Sequence, residues 1–269
     1  MKEQMDLTHH VLERPGVSLH YWLGGDTSRP LVVLTHGATV DHHEWEATAA
    51  IVAERYRILT WDMRGHGQSR PAPFTVADSV ADLVALLDAV GAPQATSVGH
   101  SLGGNLHQEL VFRHPSRVAA MVVVDSAWNF QRLTWLERLT IKAARPIFRM
   151  YPYKLLIAQS LSAAAKSEAA QDVLRPAMTS LSKDEFVQIS VAMTKCLHYE
   201  PGYTVNQPLL LVLGDEDRTG NIRKTMPMWA RNEPDCRLVV IPGVSHSPHL
   251  DAPEQFHAEL MRFLEERVP

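Results

Sequence analysis

Short apolar runs alternate with longer stretches of helical periodicity along most of the chain. Short apolar or partly β-branched runs predict strands at 17–23, 31–34, 57–61, 95–98, 119–124, 208–213 and 237–241. Helical patterns separate most of these runs. This order is typical of a mostly parallel sheet that helices cover on both faces, so the pattern predicts an α/β fold.

Helix signals bound the apolar periodicity at two places. Thr75 and Asp78 have the spacing of a capping box, and Gly91 follows a stretch whose apolar residues recur every three or four positions. Near the carboxyl end, Pro253 suits a first helical turn and opens a second stretch of this kind. We expect both helices to cover the sheet.

The alternation stops after Asp125, and helical segments then follow one another without a strand pattern as far as Gln207. We interpret residues 127–207 as an inserted helical cap, called the cap segment below. The remaining residues, 1–126 and 208–269, are expected to form the α/β core.

One helix of the cap segment is predicted over 184–197, after a capping-box spacing that begins at Ser182. Aromatic and methionine side chains are frequent in the segment as a whole. Most such residues pack a cap on its core, but as a group they are expected to include part of a substrate pocket. We select Trp135, Phe186 and Met193 as candidate pocket residues.

A Gly-x-Ser-x-Gly motif, Gly99 to Gly103, joins the strand predicted at 95–98 to a stretch of helical spacing. A serine in such a turn has a strained backbone and an exposed hydroxyl, and a Cβ at either glycine would clash. We therefore predict Ser101 as a nucleophile. The N–H of Leu102 would face a developing oxyanion at the start of the helix.

The turn after the strand at 31–34 contains small residues that let a substrate approach the backbone. Ala38 is the predicted second oxyanion donor, through its N–H. His36, His42 and His43 lie nearby, but no cysteine or carboxylate set accompanies them at metal-ligand spacing. We expect no metal, and we interpret His36 as a hydrogen-bonded core residue.

A serine nucleophile needs a base and an acid that orients the base. His246 follows the strand at 237–241 directly and is preferred over His249, which lies closer to the last helix. Asp217 follows the strand at 208–213 and is the predicted acid. Asp125, at the end of the strand at 119–124, remains an alternative acid. The order Ser, Asp, His is that of the α/β-type hydrolases.

The composition is that of an ordinary globular protein, with 45% hydrophobic and 21% charged residues and a net charge of −4. Nothing in this balance favours nucleic acid or an anionic membrane surface, so a small-molecule substrate is the expected partner. Residues 1–6 carry acids where a signal peptide needs apolar residues, and no stretch is apolar for long enough to span a bilayer. We expect a cytoplasmic protein, and a homo-oligomer stays open.

Taken together, the chain resembles the α/β-hydrolase family over nearly its whole length. The matching motifs are His36-Gly37, the stretch from Asp62 to Ser69, the turn around Ser101, Gly214-x-x-Asp217, and Gly243-x-x-His246. The resemblance implies an eight-stranded sheet, a cap over residues 127–207, and a cofactor-free triad of Ser101, His246 and Asp217.

The turn around Ser101 is similar to that of esterases and lipases, which favours hydrolysis of a small to medium carboxylic ester. The alternatives are a lactone or enol-lactone hydrolase, a carbon–carbon hydrolase of ring-cleavage products, and a ligand receptor with this fold. A carbon–carbon hydrolase usually places an arginine over the pocket. Arg132, Arg138, Arg145 and Arg149 are available in the cap segment.

Overall fold

The computed structural model describes residues 7–268, so the acidic amino-terminal residues 1–6 lie outside the described part. Within that part the chain forms one eight-stranded sheet and ten α-helices. The strands are β1 (Thr8–Arg14), β2 (Val17–Gly24), β3 (Leu31–Thr35), β4 (Arg57–Trp61), β5 (Ala95–His100), β6 (Val118–Val124), β7 (Leu209–Gly214) and β8 (Cys236–Ile241). The helices are α1 (Glu46–Val52), α2 (Val76–Ala89), α3 (Leu102–Arg113), α4 (Trp135–Met150), α5 (Tyr153–Ala164), α6 (Glu168–Ser180), α7 (Lys183–Ala192), α8 (Ile222–Asn232), α9 (Pro248–Asp251) and α10 (Pro253–Arg267).

The strand order is β1-β2-β4-β3-β5-β6-β7-β8. The first two pairings, of β2 with β1 and with β4, are antiparallel, and the other neighbours pair in parallel. The predicted α/β class and the eight-stranded sheet are therefore confirmed. Parallel strands end at the same edge, so the loops after β3, β5, β6, β7 and β8 lie close together.

The sheet is buried because its central strands carry apolar side chains on both faces. In β3, Leu31 and Val33 contact one apolar layer, whereas Val32 and Leu34 contact the other. Helices α2, α3 and α8 contribute to the first layer, and α1 and α10 to the second. A continuous apolar run is what a strand covered on both sides requires.

The seven strands predicted from the sequence are all present, with ends shifted by at most a few residues. The structure adds β1, which the pattern did not predict. Its sequence is largely polar, and its side chains alternate between exposed and half-buried. A strand at the edge of a sheet with so little apolar surface gives no clear periodic signal.

Both helix predictions in the core are confirmed. The Thr75 side chain accepts a hydrogen bond from the Asp78 N–H at the start of α2, and α10 begins at Pro253. Gly91, with a φ of 68°, has the left-handed conformation that favours glycine after a helix.

Residues 127–207 contain α4, α5, α6 and α7 and, within the described residues, no strand. The predicted helix at 184–197 is shorter than expected. The capping box at Ser182 is present, but α7 ends at Ala192 and a 3₁₀ turn, Met193–Cys196, follows. The Thr194 hydroxyl donates to the Val191 carbonyl at 2.7 Å, and such side-chain bonds compete with the helical ladder.

No helix among residues 7–268 is long and apolar enough to cross a membrane.

Candidate active site

Ser101 lies at the sharp turn between β5 and α3. Its φ of 50° and ψ of −114° are strained for a residue with a side chain. A Cβ at Gly99 would lie 2.5 Å from the carbonyl carbon of Gly103, and one at Gly103 would lie 2.2 Å from the Thr35 carbonyl oxygen. Both glycines of the motif are therefore needed for close packing of backbone, as the sequence predicts.

Ser101, His246 and Asp217 form one chain of hydrogen bonds. The Ser101 Oγ lies 2.9 Å from Nε2 of His246, and Nδ1 of His246 lies 3.0 Å from Oδ2 of Asp217. Because a carboxylate only accepts, Nδ1 carries the proton and Nε2 is free to accept from the serine hydroxyl. The arrangement can deprotonate Ser101 as it attacks an electrophilic carbon.

Asp217 is ionised in this arrangement. Burial by itself would raise its pKa, but the charge and hydrogen bond of His246 and a bond from the Thr219 N–H outweigh burial and lower the pKa. A negative Asp217 favours the tautomer of His246 that the serine needs, and it stabilises the imidazolium that forms during reaction.

Asp125, the alternative acid, is fully buried beside this chain. Its two carboxyl oxygens accept from the Gly214 N–H at 3.1 Å, and its carboxyl lies within 4.8 Å of the polar atoms of Asp217 and His246. Burial raises the pKa of Asp125 well above its ordinary value, and the nearby charge of Asp217 raises it further. Both effects favour the neutral form of Asp125, and Asp217 is the carboxylate hydrogen-bonded to His246.

The predicted oxyanion donors belong to two different elements next to Ser101, the start of α3 and the turn after β3. Leu102 is the first residue of α3, where a helix leaves its N–H groups without intrahelical partners. Ala38 belongs to the turn after β3 and lines the same cavity as Ser101. His36, also in this turn, is fully buried and accepts from the Met63 N–H at 3.0 Å, as expected of a hydrogen-bonded core residue. Donation from Ala38 and Leu102 to a substrate stays a prediction.

Two cavities meet at Ser101. One has a volume of about 190 Å³ and is bounded by the Ala38 turn and by side chains of α5, α6 and α7. The other has a volume of about 400 Å³ and is bounded by residues of α3, α4 and α8. Ser101, Met193 and Thr219 line both cavities, so Met193 lies where they join.

The structure brings two of the three candidate pocket residues to these cavities. Phe186 lines the smaller cavity and Met193 lines both. The prediction for Trp135 is corrected, because this residue is 77% exposed and lines neither cavity. It is the first residue of α4, a helix with no buried residue, and its side chain lies toward solvent. Sequence reasoning missed Ser160 and Ser190, which also line the smaller cavity but carry no distinctive motif.

Known proteins are similar to this chain over most of its length. The alpha/beta hydrolase family matches residues 32–259. A pimeloyl-[acyl-carrier protein] methyl ester esterase of Nitrosospira multiformis is 28% identical over 249 residues, covering 87% of this chain and 94% of that protein. A Caulobacter sp. relative whose name proposes a carbamate hydrolase, RutD, is 28% identical over 267 residues, covering 90% and 93%.

Solved structures agree on the fold. The enol-lactonase of Burkholderia xenovorans superposes with a TM-score of 0.82 at 20% identity, over 95% of this chain and 100% of that one. A thermophilic esterase from Thermogutta terrifontis gives a TM-score of 0.81 at 19% identity, over 98% and 100%. The chain belongs to the alpha/beta hydrolase family. The expectation that the chain is an enzyme is confirmed.

Proposed function

We propose that the protein is a serine hydrolase that cleaves small to medium carboxylic esters through an acyl-enzyme. The observation that carries the proposal is the hydrogen-bonded chain from Ser101 through His246 to Asp217. The similarity to a methyl ester esterase along most of both chains supports an ester as substrate.

The reaction begins when the Ser101 Oγ attacks the ester carbonyl carbon while its proton passes to Nε2 of His246. The N–H groups of Ala38 and Leu102 stabilise the oxyanion. His246 then gives its proton to the leaving alkoxide oxygen, and the carbon–oxygen bond breaks. A water molecule, deprotonated by His246, attacks the acyl-enzyme carbonyl. As the second intermediate collapses, His246 returns this proton to the Ser101 Oγ, and the carboxylic acid and free Ser101 are released.

The two cavities support a substrate with two arms that meet at the reacting carbonyl. An ester has an acyl group and an alcohol group on either side of that carbon, and the cavities at Ser101 have volumes of about 190 and 400 Å³. We propose that the cap segment covers this site, because α5, α6 and α7 supply much of the lining of the smaller cavity.

The carbon–carbon hydrolase alternative has less support. Arg132, Arg138, Arg145 and Arg149 are all exposed, and none lines either cavity. An arginine over the pocket is therefore not provided by these four positions.

The proposal is tested with a panel of p-nitrophenyl esters from acetyl to octanoyl, together with methyl esters, a lactone, an aryl carbamate and a dienol substrate. We expect sustained turnover that is highest on the simple esters. Higher kcat/KM on the lactone, carbamate or dienol substrate would replace the ester as the substrate class.

A serine-directed phosphonate identifies the nucleophile. We expect it to label the wild type and not Ser101→Ala, and we expect Ser101→Ala to lose several orders of magnitude in kcat while its circular dichroism is unchanged. Activity of Ser101→Ala within about tenfold of the wild type would contradict the assignment.

A further inference from the structure

A buried cluster of polar side chains borders the smaller cavity at Ser101 and takes no part in the reaction described above. Glu44 precedes α1 in a 3₁₀ turn, His100 is the last residue of β5, and His249 lies in α9. The three residues are 2%, 4% and 1% exposed. Charged groups at such depth are costly unless they are paired, so their arrangement needs a reason.

Glu44 and His100 connect two separate parts of the site. Oε2 of Glu44 accepts from the Gly37 N–H at 2.7 Å, and Oε1 of Glu44 lies 2.7 Å from Nδ1 of His100. On the other side of the ring, Nε2 of His100 donates to the carbonyl oxygen of His246 at 2.7 Å. The path therefore runs from the turn that holds Ala38 to the backbone of the proposed base.

The contacts of His100 favour a ring with protons on both nitrogens. A carbonyl oxygen only accepts, so Nε2 must be protonated, and Nδ1 faces a carboxylate. Burial opposes the charged form of His100, but the charge of Glu44 outweighs it and raises the pKa. Burial likewise opposes ionisation of Glu44, but interactions with His100 and His249 hold its pKa well below the ordinary value. The pair is thus a carboxylate and an imidazolium.

His249 is the neutral member of the cluster. Burial lowers its pKa to about 4, its ring packs on Trp45 with centroids 4.5 Å apart, and its Nε2 lies 3.6 Å from Oε1 of Glu44. It packs beside the ion pair without adding a second positive charge.

The close fit of the ring explains a glycine as well. A Cβ at residue 37 would lie 2.8 Å from Nδ1 of His100. Gly37 therefore lets the turn after β3 approach the ion pair closely enough for its N–H to reach Glu44.

We propose that the Glu44–His100 ion pair is a positioning unit that fixes the oxyanion turn and the His246 loop relative to Ser101. This inference rests on the proposed function. Ser101 directly follows His100, so one rigid group holds the residue before the nucleophile, the backbone of the base and the turn that carries Ala38. Errors of about 1 Å in such placement can cost 10²-fold in rate.

The unit has a defined pH range. The groups that face His100 are Glu44, His246, His249 and Asp217. As the pH rises through the raised pKa of His100, its ring keeps a single N–H and loses one of its two links. As the pH falls, the pair persists until Glu44 is protonated well below pH 4.5. We therefore expect kcat to decrease at alkaline pH, because His100 loses a proton there.

The test compares Glu44→Gln, His100→Gln and the double variant with the wild type, using kcat, KM and the pH profile on one ester. Each single variant leaves one buried charge without its partner, so we expect kcat to fall by about 10²-fold with KM changed by less than about threefold. In the double variant neither charge remains. We expect its kcat to be at least tenfold higher than that of the less active single variant. The alkaline decrease should disappear in His100→Gln.

A measurement on the wild type keeps the inference testable if the variants fold poorly. ¹⁵N-histidine NMR should show both nitrogens of His100 protonated at pH 7. A neutral His100, or folded single variants with wild-type kcat and pH profile, would overturn the proposal. One bound equivalent of a transition metal, lost in Glu44→Gln, would also overturn it, because the cluster would then be a ligand set.

Failure of the proposed function gives a different result. In that case the phosphonate would not label Ser101 and no ester would be turned over, while the charge state of His100 could still be read by NMR.

Discussion

Asp217 and Asp125 are two neighbouring buried carboxyl groups whose pKa values are shifted in opposite directions. His246 lowers the pKa of Asp217, whereas burial and the charge of Asp217 raise the pKa of Asp125 and favour its neutral form. A neutral carboxylic acid can donate to Asp217 and accept from the Gly214 N–H, and an asparagine amide can do both.

We therefore expect Asp125→Asn to keep kcat within about tenfold of the wild type, whereas Asp217→Asn should lose about 10⁴-fold because it favours the wrong tautomer of His246. The two variants carry the same chemical change and act as controls for each other. Steady-state kinetics at matched circular dichroism is the measurement. A larger loss at Asp125 would transfer the role of the acid to that residue.

The sequence alone was enough to predict Ser101, His246 and Asp217, because each follows a recognisable strand in a loop with few alternatives. Glu44 and His100 were not. Their pairing depends on how the turn after β3 packs against the end of β5, and neither local sequence contains that information. The prediction that Trp135 lines the pocket failed for a related reason, because composition does not show which way a side chain on a cap helix points.

The helices that line the smaller cavity should determine which acyl chains the enzyme prefers, because they contact the part of the substrate far from the reacting carbonyl. Phe186 and Met193 line this cavity, and neither takes part in the hydrogen bond between Ser101 and His246. Alanine at either position should shift acyl-chain preference by about 1–3 kcal/mol in relative kcat/KM, with little change for the acetyl ester.

Trp135→Ala is the matched control, because this exposed residue belongs to the cap segment but lines neither cavity. Its chain-length profile should equal that of the wild type. Unchanged profiles for both Phe186→Ala and Met193→Ala, with the fold intact, would mean that selection lies elsewhere, such as the loop at 39–45.

Periodicity predicted the buried strands and the capped helices because their side-chain pattern is set by the core they face. It failed for β1, whose polar residues lie at the sheet edge, and for the end of α7, where one threonine hydroxyl competes with the helical ladder. Such ends are decided by single hydrogen bonds rather than by a repeated pattern.

At the scale of the whole molecule, a set of polar contacts joins the cap segment to the loops that carry the acid and the base. The N–H groups of Lys166 and Ser167 donate to the two carboxylate oxygens of Asp251 at 2.8 and 2.9 Å. The Lys166 Nζ contacts Glu216 at 3.0 Å and the Gly243 carbonyl at 2.8 Å.

Asp251→Asn removes the charge that accepts both N–H groups. We expect the free energy of unfolding to fall by about 1 kcal/mol, as measured by urea denaturation, because hydrogen bonds to a charged group contribute more than neutral ones. Asp235→Asn, which removes an exposed ion pair with Arg267, is the control and should change it by less than about 0.5 kcal/mol. Equal effects at the two positions would show that the contacts at Asp251 add no special stability.

The outward position of Trp135 has a spectroscopic consequence. All six tryptophans lie within the described residues. Trp22, Trp45, Trp61 and Trp229 are buried, Trp128 is half-buried, and Trp135 is 77% exposed. Collisional quenching by iodide should therefore act mainly on the red-shifted emission of Trp135, and Trp135→Phe should remove most of the quenchable signal. A quenchable fraction that survives this change would mean that another indole is accessible. If Trp135 is the accessible indole, its fluorescence reports on the cap segment alone, without any added label.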